Sequence, residues 1–320
     1  MCIEQITVGV LRLFVLTFII TLLSCRQLPQ YEENTTSGRI STKSDTLIQN
    51  GYSKSAGGEA LLLTRYTSFE DLMSVVQIKY VTHSTPAVFL TYHYGSREVT
   101  SVLKKGINQE DFVKAGNGNF WERLKVGFRC PYAVIHRNEL RTVENLGRRK
   151  ISFGIGDLAF YDLAETMVQH ISDEDRINMS VKDLSEKGYL NTFNHIIAQA
   201  LMTSMFSETL ADFVADVHER YNMPELVTGK FTQTQLSDIE TGPVDNYLDM
   251  INNEWGQELG KVLRKKYHID KQTYWTPGLL TDYLNDIQSY HSWVFKIAFE
   301  PFRPTDEVVI RFARKMNMVN

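Results

Sequence analysis

Residues 191–203, Asn-Thr-Phe-Asn-His-Ile-Ile-Ala-Gln-Ala-Leu-Met-Thr, constrain the fold more than any other stretch of the chain. Wound as a helix, Phe193, Ile196, Ile197, Ala200, Leu201 and Met202 cover most of the circumference. A helix that is apolar nearly all round is stable only when other elements bury it. The chain supplies such elements after Gly156. Helical spacing of apolar residues predicts helices over 158–171, 181–187, 192–206, 207–221, 244–267, 277–290 and 305–316. Asp173-Glu174-Asp175, Asn222-Met223-Pro224, Thr241-Gly242-Pro243 and Pro301-Phe302-Arg303-Pro304 mark loops between them. No internal repeat stands out.

Ahead of this helical part, residues 59–156 alternate between signals. Ser68-Phe69-Glu70-Asp71 reads as a capping box opening a helix through Lys79, with Phe69, Leu72, Val75 and Val76 on one face. Pro86 to Tyr94 is β-branched and aromatic and stops at Gly95, which predicts a strand. Asn108 caps a helix to Lys114, Phe120 to Val126 is helical again, and Tyr132 to His136 reads as a second strand. The expected fold class is α+β: a mixed region over 59–156, then a mainly helical domain over 157–320.

The first 58 residues concern location. Leu13 to Ser24 is an apolar run too short for a bilayer, which needs about 20 residues, and suited to the core of a signal peptide. It ends Leu22-Leu23-Ser24-Cys25, which resembles the bacterial lipobox. That resemblance implies a signal peptide over 1–24, a lipid on Cys25 and attachment to a membrane of the bacterial envelope. Residues 25–58, polar and rich in Gly, Ser and Thr, read as a flexible tether. Cys130 is the one further cysteine past the signal and reads as a small buried hydrophobe. Over the whole chain 34 Lys and Arg face 38 Asp and Glu, a net charge of −4. Nothing in that balance points to nucleic acid as a partner.

Three helical stretches carry polar residues where packing residues belong. On the buried helix, His195, Gln199 and Thr203 form a stripe at four-residue spacing. In Leu210 to Glu219, His218 lines up with the apolar Val214 and Ala211, with Glu219 beside it. In Leu248 to Gly256, Asn252 projects among packing residues, bordered by Asp249 and Asn253. Buried polar groups require partners, so these stripes are expected to meet in one pocket. Gly256 and Gly260 permit close approach of a neighbour. The expected roles are His195, His218, Glu219 and Asp249 as acid, base or orienting carboxylate, and Gln199, Asn252 and Asn253 as ligand-binding groups. A divalent metal, held by His195, His218 and Asp249, is compatible with the same set. His218-Glu219 lacks the second histidine of a zincin motif, and G-x-S-x-G and EF-hand loops are absent from the sequence.

Phe193-x-His195, Ala200-Leu201, His218-Glu219 and Asp249-x-x-Asn252-Asn253-x-x-Gly256 occur in that order. Their succession resembles an uncharacterised domain family of bacterial secreted and envelope proteins, over roughly residues 185–290. Asn194, Ala198, Gln199 and Gln257 depart from the family's usual Arg, Trp, Asn and Arg. The order His, His-acid, Asp also bears a weak likeness to helical metal-dependent phosphohydrolases. The function so implied is an envelope lipoprotein with a hydrolase-like site. The alternative is a non-catalytic binding or structural lipoprotein whose polar motifs fix helix packing.

Overall fold

The computed structural model describes residues 69–81, 85–94, 97–223, 225–228, 231–232, 234–235 and 242–319. The signal, Cys25 and the tether lie outside them. The fold is α+β, a small antiparallel sheet followed by helices. Among the described residues no helix is long and apolar enough to cross a membrane.

A short helix α1 (Phe69–Met73) leads into β1 (Val76–Val81), β2 (Ala87–Tyr94) and β3 (Arg97–Lys104). The three strands form an antiparallel meander in the order β1-β2-β3. Register sets Val76 opposite Tyr92, Ile78 opposite Leu90, and Val88 opposite Leu103. With a side-chain period of two, Val76, Val88, Leu90, Tyr92, Val99 and Leu103 are thereby buried on one face.

Next come α2 (Gln109–Asn117), α3 (Phe120–Arg129), α4 (Pro131–Ile135) and α5 (Arg137–Leu146). Asn108 and Asn119 close reciprocal capping boxes at the starts of α2 and α3. The larger helices are α6 (Phe160–Gln169), α7 (Tyr189–Met205), α8 (Glu208–Glu219), α9 (Pro243–Tyr267), α10 (Pro277–Phe295) and α11 (Glu307–Val319). The apolar helix of the sequence is α7, with Phe193, Ile196, Ile197, Ala200 and Leu201 fully buried. It packs between α6, α8 and α9, and α9 also carries the sheet. Buried residues of the sheet and of the helices belong to one hydrophobic core. Tyr80 on β1 meets Tyr247 on α9 at 2.6 Å, and the Tyr247 hydroxyl donates to Glu225 Oε1 at 3.0 Å.

Three expected elements differ. The helix from Phe69 ends at Met73, because Val76, Ile78 and Tyr80 pair across to β2 and the pairing wins over helical spacing. Tyr132 to Ile135 lies in helix α4 despite a strand's composition, with His136 as its cap: Pro131 takes the first helical turn, and Tyr132 packs its ring on Phe213 at 4.8 Å. Residues 181–187 form successive turns, in which the Ser180 and Asp183 side chains bond to each other's backbone amides. Strand β3 and helix α5 had no counterpart in the reading of the sequence. Cys130 is buried, as a small hydrophobe would be.

Candidate functional site

The site lies on the seam between α7 and α9. Side chains meet in pairs along it. Asn191 Nδ2 donates to Asp249 Oδ1 at 2.8 Å, His195 Nδ1 meets Asn253 Oδ1 at 2.8 Å, and Gln257 Nε2 donates to Gln199 Oε1 at 3.2 Å. Each pair is separated by 58 residues. A constant offset means that the two helices run parallel, one turn matching one turn. Aligned at that offset, Tyr189-Leu190-Asn191-Thr192-Phe193-Asn194-His195-Ile196-Ile197-Ala198-Gln199-Ala200-Leu201 reads against Tyr247-Leu248-Asp249-Met250-Ile251-Asn252-Asn253-Glu254-Trp255-Gly256-Gln257-Glu258-Leu259. Tyr, Leu, Asn, Gln and Leu recur in place, a short internal repeat that emerges only at this offset.

Two glycines let the seam close. A Cβ on Gly256 would stand 2.7 Å from Gln199 Cβ, and one on Gly260 would stand 2.6 Å from the Ala200 carbonyl oxygen. Ser204 Oγ then reaches the Gly260 carbonyl at 2.8 Å. Helices this close leave little room for water, so polar groups on the seam must satisfy one another.

Helix α8 crosses the seam and adds an acid. Its inward stripe is Ala211, Ala215 and Glu219, all buried. Asn253 Nδ2 donates to Glu219 Oε1 at 3.3 Å, which leaves Asn253 Oδ1 as the acceptor facing His195 Nδ1. On the other side His195 Nε2 lies 3.3 Å from Asp249 Oδ2. Both imidazole nitrogens therefore face acceptors, and the ring is held as an imidazolium. The chain of contacts is Glu219–Asn253–His195–Asp249–Asn191, in which the His195 side chain is 14% exposed against 8% for Asp249.

The electrostatics follow from this geometry. Burial acts most strongly on His195 and disfavours its charge. The charge and hydrogen bond of Asp249, the charge of Glu219 and the hydrogen bond to Asn253 together outweigh it and raise the pKa to about 10. Burial, and then the charge of Asp249, push Glu219 well above the ordinary carboxylate range. One ligand atom from each of His195, Glu219 and Asp249 lies within 4.8 Å of the others, an arrangement able to hold a metal ion.

Of the residues singled out in the sequence, His195, Glu219, Asp249 and Asn253 come together. Gln199 sits one helical turn further along, against Gln257. Asn252 is buried in α9. His218 does not join the cluster: its side chain is exposed, with Nδ1 at 3.2 Å from Gln109 Oε1 on α2. The inward face of α8 is one residue round from the expected one, so Glu219 takes the position assigned to the histidine. Although part of the ring stands in solvent, the protein packed around the remainder and then the charge of His195 lower the His218 pKa. Asn191 and Gln257 are participants that sequence reasoning missed; comparing the sequence with itself at an offset of 58 exposes both.

No family model, curated protein or solved structure matches the chain.

Proposed function

We propose that the protein is a bacterial envelope lipoprotein, attached through lipid on Cys25, whose helical region carries a hydrolase-type acid–base site. The observation that carries this reading is the convergence of His195, Glu219 and Asp249 within 4.8 Å of one another, with His195 at the more open end. Two buried carboxylates and one imidazolium leave the site one positive charge short when both acids are ionised. A proton on Glu219 would supply that charge, and burial together with the Asp249 charge, both of which raise its pKa, favours the protonated form. A divalent cation could replace the protons on Glu219 and His195 and take one imidazole and two carboxylates as ligands. Such a donor set suits oxygen-preferring or borderline metals. A bound cation of this kind lowers the pKa of water and polarises the bond to be cleaved.

The Glu219→Gln variant tests the site. The carbonyl of the introduced glutamine can still accept from Asn253 Nδ2, so the melting temperature should stay the same or rise. Affinity for Mn²⁺ or Zn²⁺, measured by titration calorimetry, should fall at least about tenfold. Wild-type protein that binds neither metal and turns over no member of a panel of phosphoester, carboxyl-ester, peptide and glycan substrates would sink the hydrolase reading. The second reading, a polar network that sets helix register, would then stand. It draws its own support from the unbroken run of hydrogen bonds from Glu219 to Asn191.

The anchor is tested separately. Cys25→Ser should leave the precursor uncleaved or release the protein from the lipid-modified membrane fraction. If metabolic labelling with a palmitate analogue marks wild type and variant equally, the lipid is not on Cys25.

A further inference from the structure

Helices α3 and α4 have no buried residue. Their apolar side chains nevertheless cluster. Trp121, Leu124 and Phe128 fall on one stripe of α3, and Gly127 on the same helix lies within van der Waals reach of Val134 on α4. Trp121 is 71% exposed, Phe128 59%, Val134 60% and Ile135 75%. Exposed apolar groups gathered in this way mark an interaction surface. The segment is held to the rest of the molecule from its other side: Tyr132 and Phe112 pack on Phe213 of α8, and Gln109 meets His218.

Charge identifies the partner. Residues 104–150 contain eleven Lys and Arg against five Asp and Glu, a net of +6 in a chain whose total is −4, which leaves −10 for the remainder. Over residues 120–137 stand Arg123, Lys125, Arg129 and Arg137 with a single acid, Glu122, although Arg129 is paired with Asp111 of α2 at 3.2 Å. Tryptophan and phenylalanine tips rimmed by cations are what the interface of an anionic bilayer accepts, with rings at headgroup depth and cations on the phosphates. We propose that α3 and α4 form a membrane-docking face that inserts Trp121, Phe128, Val134 and Ile135 into an anionic lipid surface. The docking face requires neither the lipid on Cys25 nor the reactive centre.

Tryptophan fluorescence tests it. The full chain is mixed with phosphatidylethanolamine–phosphatidylglycerol vesicles, with or without brominated acyl chains, and the Trp121→Phe variant isolates the Trp121 signal. Trp255 and Trp275 are buried, at 3% and 1% exposure, Trp293 of α10 is half-buried, and all three remain in the Trp121→Phe variant, whose spectrum is subtracted as background. Bromine should quench the Trp121 emission roughly twofold. Lys125→Glu with Arg137→Glu, both exposed positions, should remove most of that quenching while the circular dichroism spectrum stays unchanged. Trp121 emission indifferent to bromine overturns the proposal, whether or not the leader holds the chain on the vesicle. So does self-association abolished by Trp121→Ser without lipid quenching, which would give the face to a second copy of the chain.

Discussion

Alanine at Gly260 should destabilise the protein by about 3 kcal/mol, near the top of the range for overpacking a close-packed interior. The added Cβ would fall 2.6 Å from the Ala200 carbonyl oxygen, 2.8 Å from Thr203 Cβ and 2.9 Å from Ala200 Cα. Two of these atoms are backbone and cannot rotate away, so α7 and α9 would have to separate. Separation lengthens every polar contact on the seam, including the His195–Asp249 pair. Alanine favours a helix over glycine by about 1 kcal/mol, which offsets only part of the clash. For a body of this size the melting temperature should fall roughly 6–12 °C. Gly278→Ala is the control, because its Cβ meets nothing nearer than Thr276 Oγ1 at 3.8 Å. It should be neutral or slightly stabilising. If both variants melt together with wild type in circular dichroism, α7 and α9 are not in backbone contact.

Asp249→Ala should cost about 3–5 kcal/mol at pH 7, the usual penalty for removing one partner of a buried pair. The variant leaves the His195 imidazolium facing only Asn253 and Glu219, against a burial effect that already disfavours its charge. The same pair gives stability a definite pH dependence. His195 has a folded pKa of about 10 against an ordinary 6.5. The folded protein thus holds this proton more tightly than the unfolded chain. Its contribution is complete below pH 6.5 and disappears as pH rises through about 10. The raised pKa of Glu219 has the same sign, its contribution fading above the ordinary carboxylate range. Wild type should therefore weaken steadily from pH 7 to pH 10, by an amount on the order of 3–5 kcal/mol. Asp249→Ala should lack most of that slope, so the two curves converge at the alkaline end. Urea denaturation at a series of pH values measures this. Parallel curves would mean that His195 is not held as an imidazolium.

These two expectations rest on features that the sequence displayed with unequal clarity. Gly256 and Gly260 declared a close approach, and the polar stripe through His195 declared a partnered interior, because a helix apolar all round leaves no other reason for either. Asp249 and Asn253 were placed beside that stripe for the same reason. His218 was misplaced by one residue of helical rotation. Val214 and His218 share a stripe with Ala211, but the packed neighbours are Ala215 and Glu219, and small residues mark a tight face better than valine does. In the mixed region, Phe69, Leu72, Val75 and Val76 satisfy a helical period while Val76, Ile78 and Tyr80 satisfy a strand period. Only the presence of β2 alongside decides between them. Tyr132 to Ile135 has a strand's composition but no neighbouring strand to pair with. The opposition of Asn191 to Asp249 was out of reach of any reading that took the helices one at a time, since it follows from their parallel register.

That register has a consequence for where reactivity can arise. Two similar helices that run parallel and touch at equivalent positions are related by a local dyad lying along the seam, as in an isologous dimer. Under strict symmetry each residue would face its own copy: histidine against histidine, aspartate against aspartate. Like charges in so dry a place would repel and drive one another to neutrality. Gln199 against Gln257 keeps the symmetric state, and the amide pair is content with it. One and two turns nearer the N-terminal ends, the copies differ, with His195 against Asn253 and Asn191 against Asp249. The imidazolium and its carboxylate then meet diagonally across the dyad. Charge separation in this protein is thus a product of broken symmetry, confined to the two layers where the halves of the repeat have diverged.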